Sequence, residues 1–85
     1  MKNAKPAKRK TARALLAFNS RVLRAELGIT KEKLAALADI DRSYVGQIES
    51  EDRAVSIDIA DKLAKAFDVP VARLFFDKDS NSIAS

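Results

Sequence analysis

Apolar residues recur along this chain at spacings of three, four and seven, broken at short intervals by capping and turn residues. That pattern predicts consecutive short helices. Runs of β-branched residues with period two are absent, and alanine is abundant. The first helix is predicted from about Lys10 to Leu27, with Gly28 as the residue that ends it. Leu16, Leu23 and Leu27 share one face of it, and Leu15, Phe18 and Val22 form a second stripe. Two stripes exceed what one packing partner needs.

Thr30 is an N-cap candidate for a second helix, about Lys31 to Ala38, with Leu34, Ala35 and Ala38 facing inward. Asp39 suits the turn that follows, because Asp tolerates the left-handed conformation. Asp41 caps a third helix, about Arg42 to Ser50, whose inward positions are Val45 and Ile48. Two short helices joined by about three residues have helix-turn-helix spacing. Ser56 caps a fourth helix, Ile57 to Phe67, with Ile59, Ala60, Leu63 and Phe67 periodic and Asp58 placed to suit the helix dipole. Val69-Pro70 restarts the chain for a short fifth helix that runs to about Phe76. The expected fold is all-α, a compact five-helix bundle with a helix-turn-helix. Its expected organisation is a basic N-terminal arm over 1–13, a helix-turn-helix domain over 14–76 and a tail over 77–85.

Composition narrows the chemistry. A chain of 85 residues supports one domain with a modest core. It has no cysteine, so neither a disulfide framework nor a thiolate metal site is expected. It has no histidine, which removes the usual general base and the usual metal ligand. With two glycines, no glycine-rich phosphate loop can be written. Its acids are scattered over caps and exposed faces. The expectation is a binder and not an enzyme, with no metal, no cofactor and no small-molecule ligand. No apolar run approaches the ~20 residues of a membrane span and no signal peptide is visible, so a cytoplasmic protein without membrane contact is expected.

Charge adds a direction. The net charge is +4, yet residues 1–13 hold Lys2, Lys5, Lys8, Arg9, Lys10 and Arg13 and no acid, which leaves the remainder of the chain slightly acidic. A basic arm is a common nucleic-acid device, and its plainer alternative is a solvated tail. Pro6 separates a loose part of the arm from a part able to extend the first helix.

The stretches Gly28-Ile29-Thr30-Lys31-Glu32-Lys33-Leu34-Ala35, Ile40 to Glu49, Ser56-Ile57, Leu63 to Val69 and Leu74-Phe75 together resemble the Cro/phage-repressor helix-turn-helix family. Asp41-Arg42-Ser43-Tyr44-Val45, with Arg53 beyond it, looks most like the controller proteins of restriction–modification systems. The resemblance covers about residues 15–76. It implies a sequence-specific regulator of transcription that binds double-stranded DNA as a homodimer on a palindromic operator. The third helix would enter the major groove with Arg42, Ser43 and Gln47 reading bases. Arg42 has the forked donors that match guanine O6 and N7, and Gln47 suits adenine. Thr30, Lys31, Tyr44 and Arg53 would contact the DNA backbone. Lys2, Lys5, Lys8, Arg9 and Lys10 of the arm would follow phosphates. Arg24 and Glu49 match positions where a structural ion pair occurs, and Phe75 and Phe76 would form the dimer interface.

The sequence also departs from the family. Lys31 stands where glutamine is usual, and Glu51 stands where glycine is usual. Ser50-Glu51-Asp52 forms an acidic patch where the family often carries a base. Two other classes remain open. One is an antitoxin-like or other protein-interaction module using Phe75, Phe76 and Ile83, a role favoured by a long C-terminal extension that is not evident here. The other is an RNA-binding adaptor, which lacks an aromatic stacking platform.

Overall fold

In a computed structural model, residues 10–79 are described, and they form five helices with no strand among them. These are α1 (Ala12–Leu27), α2 (Lys31–Ala38), α3 (Arg42–Glu49), α4 (Ile57–Phe67) and α5 (Val71–Leu74). Four starts are capped by a side-chain oxygen that accepts a backbone N–H two or three residues on: Thr11, Thr30, Asp41 and Ser56. Thr11 therefore starts α1, two residues later than the apolar pattern implies, and Lys10 lies outside the helix. Its ammonium bridges Asp79 at 2.7 Å and Asp77 at 3.1 Å, which raises the Lys10 pKa and lowers that of Asp79. Lys2, Lys5, Lys8 and Arg9 of the basic arm, and Ile83, lie outside the described residues.

Leu16 and Leu23 from α1 meet Leu34, Ala35 and Ala38 from α2, Val45 and Ile48 from α3, Ala60, Leu63, Ala64 and Phe67 from α4, and Leu74 from α5. Helix α1 lies against α3 and α5, α2 against α3 and α4, and α4 against α5. Leu27 does not join this core. It is 52% exposed although it shares a face with Leu16 and Leu23. Ile29, just past the helix end, packs against the core instead.

Helices α1 to α4 end alike. The residue after the last helical turn has positive φ, and its own N–H and the next one close back on the final carbonyls. Gly28 (φ 67), Asp39 (φ 58), Glu51 (φ 63) and Asp68 (φ 59) occupy these left-handed positions. The paired closures run from Gly28 and Ile29 to Ala25 and Arg24, from Asp39 and Ile40 to Ala36 and Ala35, from Glu51 and Asp52 to Ile48 and Gln47, and from Asp68 and Val69 to Lys65 and Ala64. This is the Schellman arrangement, which usually places a hydrophobe second in each pair. Ile29, Ile40 and Val69 do so, whereas Asp52 is exposed. The sequence expectation for α3 ran to Ser50; the helix ends at Glu49 because Glu51 turns left-handed.

Helix α5 is one turn long and shorter than the expected run to Phe76. Pro70 provides no side-chain cap. Its end is held by Asn19 of α1, which is buried and donates from its amide to Leu74 O (2.8 Å) and Phe76 O (3.0 Å). Asn19 Oδ1 accepts from Arg73 Nη1 at 3.1 Å. Tertiary hydrogen bonds thus substitute for the length that α5 lacks.

Arg24 and Glu49 meet fork to fork. Arg24 Nε lies 2.8 Å from Glu49 Oε2 and Nη2 lies 3.1 Å from Oε1, while Nη1 donates to Ile29 O at 3.0 Å. Arg21 Nη1 donates to the backbone carbonyl of Glu49. Two turns of α1 therefore hold the C-terminal end of α3. The bond to Glu49 raises the Arg24 pKa further.

Two stability measurements follow. Glu51→Gly removes a left-handed non-glycine residue and is expected to stabilise the protein by about 0.5–1 kcal/mol in urea titration, the strain relieved exceeding the added unfolded-state entropy. Arg24→Ala is expected to cost on the order of 3 kcal/mol by leaving the Glu49 carboxylate buried and unpaired, with Glu49→Ala costing less and the double variant costing less than the sum. Additive losses in that cycle would show that the two side chains do not act as a pair.

Candidate nucleic-acid interface

The turn Asp39-Ile40-Asp41 sets the angle between α2 and α3. Ile40 packs against the core, and Asp39 supplies the left-handed residue that reverses the chain. Asp41 Oδ1 accepts the Ser43 N–H at 3.0 Å and the Ser43 hydroxyl at 3.2 Å. The backbone bond, then the hydroxyl bond, hold the Asp41 carboxyl below its usual range. The sign is that of a depressed acid: the cap stabilises fully above the unfolded carboxylate pKa and is lost as pH falls through the lower folded value.

Val45 and Ile48 turn α3 into the core, so the opposite face is left to solvent. Arg42 and Ser43 are exposed in its first turn, and Gln47 is half-buried one turn on. Arg42 Nη1 donates to Glu32 Oε2 of α2 at 2.9 Å. Gln47 Oε1 accepts from Arg53 Nη1 at 2.9 Å. The Arg53 guanidinium also lies 4.4 Å from the centre of the Tyr44 ring, whose body packs against the core. This fixes Arg53, an otherwise exposed loop residue, beside α3. Gly46 lies on the same stretch, and a Cβ there would meet nothing within 4 Å. Internal packing therefore does not require glycine at this position.

At the start of α2, the Thr30 hydroxyl is committed to capping and accepts the Lys33 N–H at 3.0 Å. Lys31 projects from the exposed first turn beside the free N–H groups of the helix end. Arg42, Ser43, Tyr44, Gln47 and Arg53 thus stand together, with Lys31 and Thr30 on the neighbouring helix start. Lys10 stands apart: it is tied to Asp77 and Asp79 and lines a groove with Phe18 and Phe76. Sequence reasoning missed Glu32, Arg21 and Asn19. The signal for Glu32 lay in its place in the first turn of α2, since helix-turn-helix geometry brings the two helix starts close together. Arg21 and Asn19 carried no comparable signal.

Phe75 and Phe76 fall on opposite sides of α5. Phe75 is half-buried and lines an apolar groove with Ala12, Leu16, Val55, Ile57 and Val71. Phe76 is 55% exposed and lines the second groove with Leu15, Phe18 and Val22, rimmed by charged residues from Lys10 to Asp79. Among the described residues, no helix is long and apolar enough to cross a membrane.

Comparison with known proteins gives a consistent result. The helix-turn-helix family HTH_3 matches residues 21–74. The restriction-modification controller protein C.AhdI from Aeromonas hydrophila is similar at 40% identity and TM-score 0.71, over 74% of this chain and 96% of that one. The hypothetical transcription factor NHTF from Neisseria is similar at 28% identity and TM-score 0.80, over 94% of this chain and 95% of that one. The HTH-type transcriptional regulator PrpR of Mycobacterium tuberculosis (strain ATCC 25618 / H37Rv) is 30% identical over 82 residues, which are 96% of this chain. The chain spans 17% of the length of PrpR and 58% of that of a second curated relative, from Neisseria meningitidis. With capped α2, a left-handed three-residue turn and an outward polar face on α3, the chain belongs to the Cro/C1-type helix-turn-helix family of DNA-binding transcription regulators.

Proposed function

We propose that this protein is a sequence-specific regulator that binds double-stranded DNA as a homodimer on a palindromic operator. The observation that carries the reading is the outward face of α3. Arg42, Ser43 and Gln47 present hydrogen-bonding groups there that the core does not use, on a helix anchored at its far end by α1. Seated in the major groove, Arg42 reads guanine, Gln47 reads adenine and Ser43 contacts a base or a phosphate. Lys31 at the α2 start, Tyr44 and Arg53 take phosphates, with Thr30 ordering the helix end that receives one. Similarity to the restriction-modification controller protein C.AhdI, 96% of which aligns with 74% of this chain, supports a regulatory reading here. The basic residues Lys2, Lys5, Lys8 and Arg9 of the arm ahead of α1 supply sequence-independent attraction that the slightly acidic chain after residue 13 lacks.

A dimer follows from the size of the reading surface, since one recognition helix covers only a few base pairs. Of the two grooves flanking α5, that of Ile57, Val71 and Phe75 suits a second copy better. Ile57 is 85% exposed, and the groove holds a single charged residue, Arg13. Burying like apolar patches about a two-fold axis is the usual solution. The groove of Phe18 and Phe76 is rimmed by charge and suits the protein partner of an antitoxin-like reading.

Three measurements test these assignments. Arg42→Ala is expected to lose roughly 1–3 kcal/mol on the preferred site and to relax discrimination at one guanine. Lys31→Ala and deletion of residues 2–10 are expected to weaken specific and random duplexes alike and to flatten the salt dependence, by nearly one unit of slope per phosphate lost. Equal losses for Arg42→Ala on both duplexes would reverse the assignment. In sedimentation, Ile57→Asp is expected to yield monomers at tens of micromolar, a range in which Phe76→Asp stays dimeric; a monomeric parent protein would exclude the homodimer.

A further inference from the structure

The base-reading arginine is not free. Arg42 donates from Nη1 to Glu32 Oε2 at 2.9 Å, with both side chains more than half exposed. An exposed pair of this kind adds little to folding stability. Its position is what matters. Glu32 lies in the first turn of α2, one residue after Lys31, at a helix end whose free N–H groups would otherwise attract a phosphate. A carboxylate there opposes DNA, so its contact with Arg42 calls for a reason other than affinity.

The two classes of DNA acceptor differ in how they treat this pair. A guanidinium has five N–H donors, and the bond to Glu32 uses one. Guanine O6 and N7 are neutral and bind through two parallel donors, so they can be added while Nη1 remains on Glu32. A phosphate is an anion. To take Arg42 it must displace the carboxylate or lie against it, and either choice is unfavourable.

We propose that Glu32 is a specificity-determining positioning residue. It neutralises Arg42 and fixes the orientation of its fork, so that Arg42 answers to a guanine edge and not to the phosphates of an arbitrary duplex. The inference rests on the reading that α3 enters the major groove. On random DNA, Arg42 stays with Glu32 and contributes little. On the operator, the pair persists and guanine completes the remaining donors. Glu32 thereby lowers nonspecific affinity without an equal loss of specific affinity.

The test uses the full chain, a duplex selected from random sequence by the parent protein, and a scrambled duplex of equal length. Affinities are measured across a salt series for the parent, Glu32→Gln, Arg42→Ala and the double variant, with Glu32→Ala as a second removal and circular dichroism to verify folding. Glu32→Gln is expected to tighten the scrambled duplex about two- to fivefold, the range of one exposed ion pair. It is also expected to steepen the salt slope on that duplex by about one unit and to narrow the ratio between the two duplexes. In the Arg42→Ala background these changes disappear. Equal tightening on both duplexes, or tightening that persists without Arg42, would show plain charge repulsion and overturn the proposal; so would no change. Failure of the parent itself to prefer the selected duplex would count against the regulator reading, and the parent titration alone reveals it.

Discussion

Helix α3 depends on a carboxylate placed where helix electrostatics disfavour it. Glu49 is the last residue of α3, at the end carrying the negative partial charge, and its side chain is only 5% exposed. Left alone, such a charge would be strongly destabilising. Arg24 meets both of its oxygens and Arg21 meets its carbonyl, so one side of α1 neutralises both the side chain and the helix end. The third Arg24 contact, to Ile29 O, draws in the turn that leads to α2. One guanidinium therefore fixes α1, the entry to α2 and the end of α3 relative to one another. A hydrophobic contact would bury the same area without fixing direction, whereas the two parallel bonds permit one relative orientation. The angle at which α3 presents its outer face is set there.

The helix ends show how this orientation is carried into the loops. Four Schellman closures reverse the chain with a single glycine among their left-handed residues. At three of them a hydrophobe follows and pins the next segment to the core. After α3 the corresponding residue is Asp52, so that closure gives the next loop no apolar anchor. Arg53 is placed by other means, through its stack on Tyr44 and its bond to Gln47. The start of the segment after α3 is thus organised by the polar face, with Arg53 and Gln47 parts of one arrangement, before Val55 returns the chain to the core.

Local pattern carried much of this into the sequence. The bounds of α2 and α4 follow from Thr30 and Ser56 as caps and from apolar spacing, because both helices lie wholly on the core. Asp39 was legible as a left-handed turn because its side chain is short and polar. Legibility fails where the deciding partner is remote. Leu27 has the right phase for the core, yet nothing in its sequence neighbourhood reveals that it stays exposed while Ile29 takes the core position. Phe75 was legible as nearer the core and Phe76 as a surplus aromatic near the surface; that the two line different grooves was not legible. Lys10 reads as part of a free basic arm, and two acids sixty-seven and sixty-nine residues later claim it. The outer face of α3 was legible as a set of residue types; its internal contacts, Arg42 to Glu32 and Gln47 to Arg53, were not.

Those contacts bear on how such a face can be both soluble and selective. Arg42, Ser43, Gln47 and Arg53 each already have a partner on the protein, so their geometry is partly fixed before any ligand arrives and less side-chain entropy remains to be lost. The partners are exposed, so exchanging them for other polar groups costs little. The two arrangements differ in kind, however. Releasing the Gln47 oxygen from Arg53 frees a neutral amide and a cation that finds phosphate equally acceptable. Releasing Arg42 from Glu32 leaves a carboxylate facing a polyanion. In the proposed complex the first contact would give way to a phosphate of any sequence, whereas the second would persist while guanine takes the remaining donors of Arg42. On the proposed reading, general affinity would rest with Arg53 and its neighbours, and discrimination with the single arginine guarded by an acid.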